Sequence, residues 1–145
     1  MILTPIANRR ALFLDRDGVI NIDHGYVHAT KDFEFVDGIF DLVRSARTLG
    51  YRAVVITNQA GIGRGYYSER DFHELTAWMC TQFERHGALI DRVYFSPYHP
   101  TQGIGMYRKL EATRKPGPGM ILMAKADLGL SLQESVLVGD KPRSA

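Results

Sequence analysis

The chain has 145 residues, 45% hydrophobic and 23% charged, the size and composition of one globular domain able to bury roughly two thirds of its unfolded surface. A net charge of +2 does not suit a nucleic-acid surface, the single cysteine Cys80 excludes an intrachain disulfide or a thiolate cluster, and no apolar run approaches the roughly 20 residues of a membrane span. The start, MILTPIANRR, lacks the apolar core of a signal peptide, so a cytoplasmic location is the expectation.

In chain order, Ala11 to Leu14 reads as a buried strand that ends abruptly in Asp15-Arg16-Asp17-Gly18. A polar loop, Asp23-His24-Gly25-Tyr26-Val27-His28, follows. Asp37 then reads as the N-cap of a helix whose Ile39, Phe40, Leu42, Val43, Ala46 and Leu49 recur at helical spacing up to Gly50. Tyr51 to Thr57 is a second buried strand, which predicts a parallel crossover through that helix. Thr57-Asn58-Gln59 leads into a glycine-rich segment that does not read as the opening of a helix, and Ser68 caps a helix with a stripe of Phe72, Leu75, Thr76, Met79 and Phe83, closed by Gly87. Val93 to Ser96 is a third strand. The irregular stretch from Pro97 to Gly117 precedes a helix from Pro118 through Leu128, and Val136 to Val138 is a fourth strand that delivers Gly139-Asp140-Lys141.

This β-α-β-α-β-α-β pattern predicts an α/β fold: a three-layer, Rossmann-like parallel sheet with helices on both faces, as a single domain over 1–145 with no large cap. Polar clusters end all four strands, namely DRDG, TNQ, SPYHP and GDK, and the exits of such strands are expected to form one crevice.

Asp15 and Asp17, two apart on an extended segment, project to the same side. Two unit negative charges about 4 Å apart repel by about 4 kcal/mol at an effective dielectric of about 20, so the pair asks for a cation. A calcium loop fails, because Val19 stands where a fifth-position oxygen ligand is needed. The spacing Gly61-x-Gly63-x-Gly65 does not fit a dinucleotide fingerprint. Phosphoryl transfer through an aspartyl phosphate uses the clusters together. Asp15 is the nucleophile, Asp17 the general acid and base, a magnesium ion sits between Asp15 and Asp140, and Thr57, Asn58 and Lys115 neutralise the transferred group.

Asp15-Arg16-Asp17-Gly18, Thr57-Asn58, Arg114-Lys115-Pro116 and Gly139-Asp140-Lys141 resemble, in order, the four motifs of the haloacid dehalogenase superfamily of phosphatases. More narrowly, DRDGVINIDHGYV, FEFVDG, VVITNQAGIGRG, RKPGPGM and VGDK are similar to bacterial D-glycero-D-manno-heptose 1,7-bisphosphate 7-phosphatases, with histidinol phosphate phosphatases as close relatives. The resemblance implies a magnesium-dependent phosphatase that hydrolyses a small sugar phosphate on the way to activated heptose for surface polysaccharide. The alternatives are another small phosphate ester, such as histidinol phosphate, or a non-catalytic module that binds such esters. The resemblance assigns magnesium to Asp15, the backbone carbonyl of Asp17, and Asp140, with Lys141 beside the site. It assigns substrate contacts to Asp23, His24, Gly25, Tyr26, Asn58, Gln59, Ala60 and Arg114. Neither nucleic acid nor membrane is an expected partner, and a monomer is expected. Many such phosphatases hold a zinc in the loop before the RKP motif through three cysteines and a histidine. Here Ser96-Pro97-Tyr98-His99-Pro100 and Glu111-Ala112-Thr113 occupy those stretches, so no structural zinc is expected and the loop is either packed or mobile. The resemblance also implies that the domain is cut short at its C-terminal end.

Overall fold

The computed structural model describes residues 9–139. Four strands form one parallel sheet in the order β3-β2-β1-β4: β1 is Arg10–Leu14, β2 Tyr51–Asn58, β3 Arg92–Ser96 and β4 Val136–Val138. Its register is set by Leu12 opposite Ala53 on one side and opposite Val136 on the other. The central strands β1 and β2 are buried on both faces, which is why they read as continuous apolar runs rather than alternating ones.

The helices cover both faces, as expected. Helices α1 (Ile39–Thr48) and α3 (Glu69–Arg85) close one side, where Ile39, Val43, Leu75, Met79 and Phe83 pack on Leu12, Leu14, Ala53 and Val55. The opposite side belongs to α4 (Gly119–Leu128), whose Met120 and Ala124 meet Ala11, Phe13, Val54 and Ile56. Each fully buried valine, leucine, isoleucine, methionine or phenylalanine among them contributes about 1.5–3 kcal/mol over its exposed state.

Several boundaries follow the predicted chemistry. Ser68 accepts from the Asp71 amide at 3.0 Å while Asp71 accepts from the Ser68 amide at 3.0 Å, a reciprocal capping box at the start of α3. Two expectations need correction. Asp37 is not the cap of α1: Gly38, at φ 84°, turns the chain into the helix, and the Ile39 amide donates to Val36 O instead. The glycine segment after Gln59 does open a helix, a single turn, α2 (Ala60–Gly63).

The stretch from Pro97 to Gly117 is packed. The His99 amide donates to Tyr107 O at 3.0 Å, the Ile104 amide to Gly63 O at 2.7 Å, and the Tyr107 hydroxyl to Glu69. Lys109 lies 4.7 Å from the centre of the Tyr98 ring, and Arg114 Nη1 donates to Tyr98 O at 3.1 Å. Gly63 is required here, since a Cβ would come within 2.3 Å of Pro97 O. His99 spends Nδ1 as an acceptor for the amides of Thr101 and Gln102. Among the described residues, no helix is long and apolar enough to cross a membrane.

Candidate active site

The exits of the central strands open into a cavity of about 590 Å³. Of the predicted site residues, Asp15, Asp17, Asp23, Gly25, Tyr26, Asn58, Gln59, Ala60, Arg114 and Lys115 line it. Thr57 and His24 do not. Thr57 is fully buried behind the wall, and the exposed His24 turns its Nε2 to Glu34 at 3.0 Å. Asp140 and Lys141 lie outside the described residues, although Gly139 reaches the cavity. The SPYHP cluster also stays out of the lining. Its part is indirect: the Ser96 hydroxyl bonds Thr113 at 3.1 Å, and Tyr98 O holds the Arg114 guanidinium.

Lys115 Nζ sits 2.9 Å from Asp15 Oδ2 and also donates to Ile56 O at 3.2 Å. Its backbone is clamped by Asn58, whose Oδ1 accepts from the Lys115 amide at 2.9 Å while Nδ2 donates to Lys115 O at 3.2 Å. Asn58 therefore spends its amide on aiming the lysine. The other oxygen of Asp15, Oδ1, accepts from the Arg16 amide at 2.8 Å.

Asp17 is held more heavily. Its Oδ1 accepts from Arg16 Nε at 3.2 Å, Arg16 Nη2 at 2.8 Å and Asn21 Nδ2 at 3.0 Å; Oδ2 accepts from Gln59 Nε2 at 3.2 Å. Arg16, 2% exposed, faces away from the cavity and also donates from Nη2 to Val27 O at 2.7 Å, tying the Asp23–His28 loop to the carboxylate. Sequence reading missed Arg16, because an arginine between two acids reads as a solvated neighbour. It also missed Tyr67, which lines the cavity, donates its hydroxyl to Gln59 Oε1 and stacks on His28 at 4.8 Å. Burial pushes the Tyr67 phenol from 10.0 up to about 12.

The raised phenol carries a stability signature. A pKa higher in the folded state means the neutral form is favoured there, so its contribution is complete below pH 10 and is lost as pH rises through about 12. Between those values wild-type protein should lose thermal stability faster than Tyr67→Phe, read as unfolding midpoint against pH. Parallel curves would contradict this.

Two hard oxygen sources suit a magnesium ion here. One is the Asp15 carboxylate; the other is the Asp17 carbonyl, which accepts no hydrogen bond among the described residues although its neighbour Arg16 O accepts three. The described residues alone hold no cluster of three acidic, histidine or cysteine side chains, and the further acid of the fourth motif, Asp140, lies beyond them.

Residues 12–144 match the family model described as polynucleotide kinase 3 phosphatase. The chain is 60% identical over 132 residues to the D-glycero-alpha-D-manno-heptose-1,7-bisphosphate 7-phosphatase of Burkholderia mallei, covering 91% of this chain and 70% of that one. The chain belongs to the D-glycero-D-manno-heptose 1,7-bisphosphate 7-phosphatase family. Within this family the corresponding beta-anomer enzyme of Vibrio cholerae is 48% identical over 131 residues, covering 90% and 70%. Among solved structures, a HAD-like phosphatase of Mesorhizobium loti superposes with a TM-score of 0.86 at 36% identity, covering 91% of this chain and 63% of that one. The D,D-heptose 1,7-bisphosphate phosphatase of B. bronchiseptica, complexed with magnesium and phosphate, gives 0.79 at 25% identity over 92% and 72%.

Proposed function

We propose that this chain is a magnesium-dependent phosphatase that removes the 7-phosphate of D-glycero-D-manno-heptose 1,7-bisphosphate through an aspartyl phosphate. The observation that carries the chemistry is the pairing of Lys115 Nζ with Asp15 Oδ2 at 2.9 Å at the floor of a cavity whose other walls are Asp17, Asn58 and Arg114. A carboxylate attacking a dianionic ester meets repulsion on the order of 8 kcal/mol at about 4 Å and a dielectric of about 20. Lys115, fixed by Asn58, supplies a cation at the nucleophile itself. Arg114 stands at the wall for the rest of the substrate, while Thr57, buried behind that wall, acts only through Gln59, whose Nε2 donates to it. Magnesium, held by Asp15, the Asp17 carbonyl and Asp140, would add the remaining neutralising charge.

Asp15 attacks phosphorus while Asp17 gives a proton to the leaving sugar oxygen. Asp17 then takes a proton from the water that hydrolyses the aspartyl phosphate. With Oδ1 filled by three N–H donors, Oδ2 is the oxygen that carries this proton. Asp23, Gly25, Tyr26 and Ala60, which also line the cavity, are the residues this reading gives to the sugar. In this reading the enzyme acts as a cytoplasmic monomer on a free sugar phosphate and serves the making of activated heptose for surface polysaccharide.

A phosphate-release panel tests it, with both anomers of the heptose bisphosphate, histidinol phosphate and a 3′-phosphorylated oligonucleotide, each with magnesium and with chelator. The heptose bisphosphates should be turned over at least about tenfold faster, in kcat/KM, than the others. A preference for histidinol phosphate or the oligonucleotide would overturn the substrate, and release that survives chelation would overturn the metal.

A further inference from the structure

Tyr67 has no part in the bond-making steps, yet it sits at the base of the cavity in a tightly fitted slot. It is 7% exposed, its ring lies parallel to His28 within 8°, and Gly61 packs so closely that a Cβ there would come within 2.3 Å of the ring. Its hydroxyl proton goes to Oε1 of Gln59, a side chain 2% exposed. From the other end of that amide, Nε2 donates to Thr57 Oγ1 at 2.9 Å and to Asp17 Oδ2 at 3.2 Å.

The two ends of a glutamine amide have nearly the same shape and opposite hydrogen-bonding character. The slot around Gln59 cannot sort them by size. A phenol that donates into one end does sort them, because it demands the carbonyl oxygen there and sends the NH₂ toward the carboxylate. If the amide turned over, Oε1 would repel Asp17 Oδ2 when the carboxylate is ionised and, when Oδ2 is protonated, would draw its proton away from the leaving oxygen, while Nε2 would face a phenol whose lone pairs are poor acceptors. Asp17 offers no second oxygen for proton transfer, since Oδ1 is taken up by Arg16 and Asn21.

We propose that Tyr67 is a positioning residue for proton transfer: by donating to Gln59 Oε1 it fixes the amide so that Nε2 holds Asp17 Oδ2 against the leaving oxygen of the substrate. This rests on the reading of Asp17 as general acid and base. In the first step the Asp15–phosphorus bond forms and the phosphorus–oxygen ester bond breaks; the leaving oxygen keeps the bonding electrons and receives the proton from Asp17 Oδ2. In the second, water oxygen bonds phosphorus, the Asp15–phosphorus bond breaks, and Asp17 recovers a proton from that water. Gln59 neither gains nor loses a proton in either step. Tyr67 stays a donor throughout the working range, its phenol being held well above neutral pH by burial.

The test compares two leaving groups. A sugar alkoxide needs a proton to depart, whereas the nitrophenolate of p-nitrophenyl phosphate does not. Tyr67→Phe keeps the ring and its stack on His28 but frees the amide. Its kcat/KM on the heptose bisphosphate, which reports the steps through departure of the leaving group, should fall about tenfold, while kcat/KM on p-nitrophenyl phosphate stays within about twofold. Gln59→Met should show the same selective loss, and the double variant should lose no more than either single one, because the tyrosine acts through the glutamine. Unchanged kcat/KM on the sugar ester would overturn the proposal, as would equal losses of kcat/KM on both esters or losses that multiply in the double variant. Wild-type turnover of the sugar ester, abolished by Asp15→Asn, checks the underlying reading on its own. Absent wild-type turnover would bring down that reading, and the proposal with it.

Discussion

Asp15→Asn should abolish phosphate release, by roughly 10⁴- to 10⁶-fold, while leaving the fold intact. The amide keeps the shape of the carboxylate and its oxygen can still accept the Arg16 amide; its NH₂ stands in place of Oδ2, so Lys115 loses that partner but keeps Ile56 O and the Asn58 clamp on its backbone, and the loop between β1 and the Asp23–His28 segment has no cause to rearrange. What disappears is the anionic oxygen that attacks phosphorus. Nothing else at the floor can replace it, because Asp17 is turned to the leaving group by Gln59 and its Oδ1 is committed to Arg16 and Asn21. Initial rates with magnesium, alongside an unfolding midpoint matching wild type, check the prediction. Residual activity within about a hundredfold of wild type would show that the nucleophile lies elsewhere.

Arg16→Met should be the most damaging single change to stability near the site, costing about 3 kcal/mol. Removing one partner of a buried ion pair leaves the other charge short of its compensation, which typically costs about 3–5 kcal/mol. Asp17 keeps Asn21 and Gln59 and is 24% exposed, which puts the loss at the lower end. Val27 O loses its donor as well. For a chain of this size the unfolding midpoint should drop by roughly 6–12 °C. Arg16→Lys should recover little of it, since one ammonium cannot reproduce the fork that spans Asp17 and Val27. A drop below about 3 °C for Arg16→Met would mean that Arg16 is not a strut of the site.

The strand exits were legible because burial on both faces leaves a continuous apolar run, and such a run must end where its polar cluster begins; Leu14 into Asp15 and Thr57 into Asn58 are the clear cases. The cap at Ser68 was legible because its partner lies three residues away in sequence. What could not be read was direction. Neither Arg16 nor His24 declares in sequence whether it turns inward or out: the arginine is buried by a loop eleven residues further on, and the histidine is drawn outward by Glu34. Asn58 and Gln59 were read as substrate contacts from position, and both line the cavity, but their amides are engaged with Lys115 and with Tyr67, Thr57 and Asp17. Those partners lie from 2 to 57 residues away, and only the fold brings them together. The Pro97–Gly117 stretch, left open between packed and mobile, is held by Gly63 at the end of α2 and Glu69 at the start of α3, contacts about 40 residues apart in sequence with no local signal.

The clamp on Lys115 also bears on how the molecule comes into being. Asp15 and its lysine partner are separated by a hundred residues of chain, and the Asn58 clamp spans 57. Contacts of such long sequence separation form late, after the parallel strands between them have paired, because loop-closure entropy must be overcome first. Before that loop closes, Asp17 has Arg16 beside it in sequence, but Asp15 has no lysine facing it. Chemistry that needs Lys115 beside Asp15 therefore waits on the closing of that hundred-residue loop.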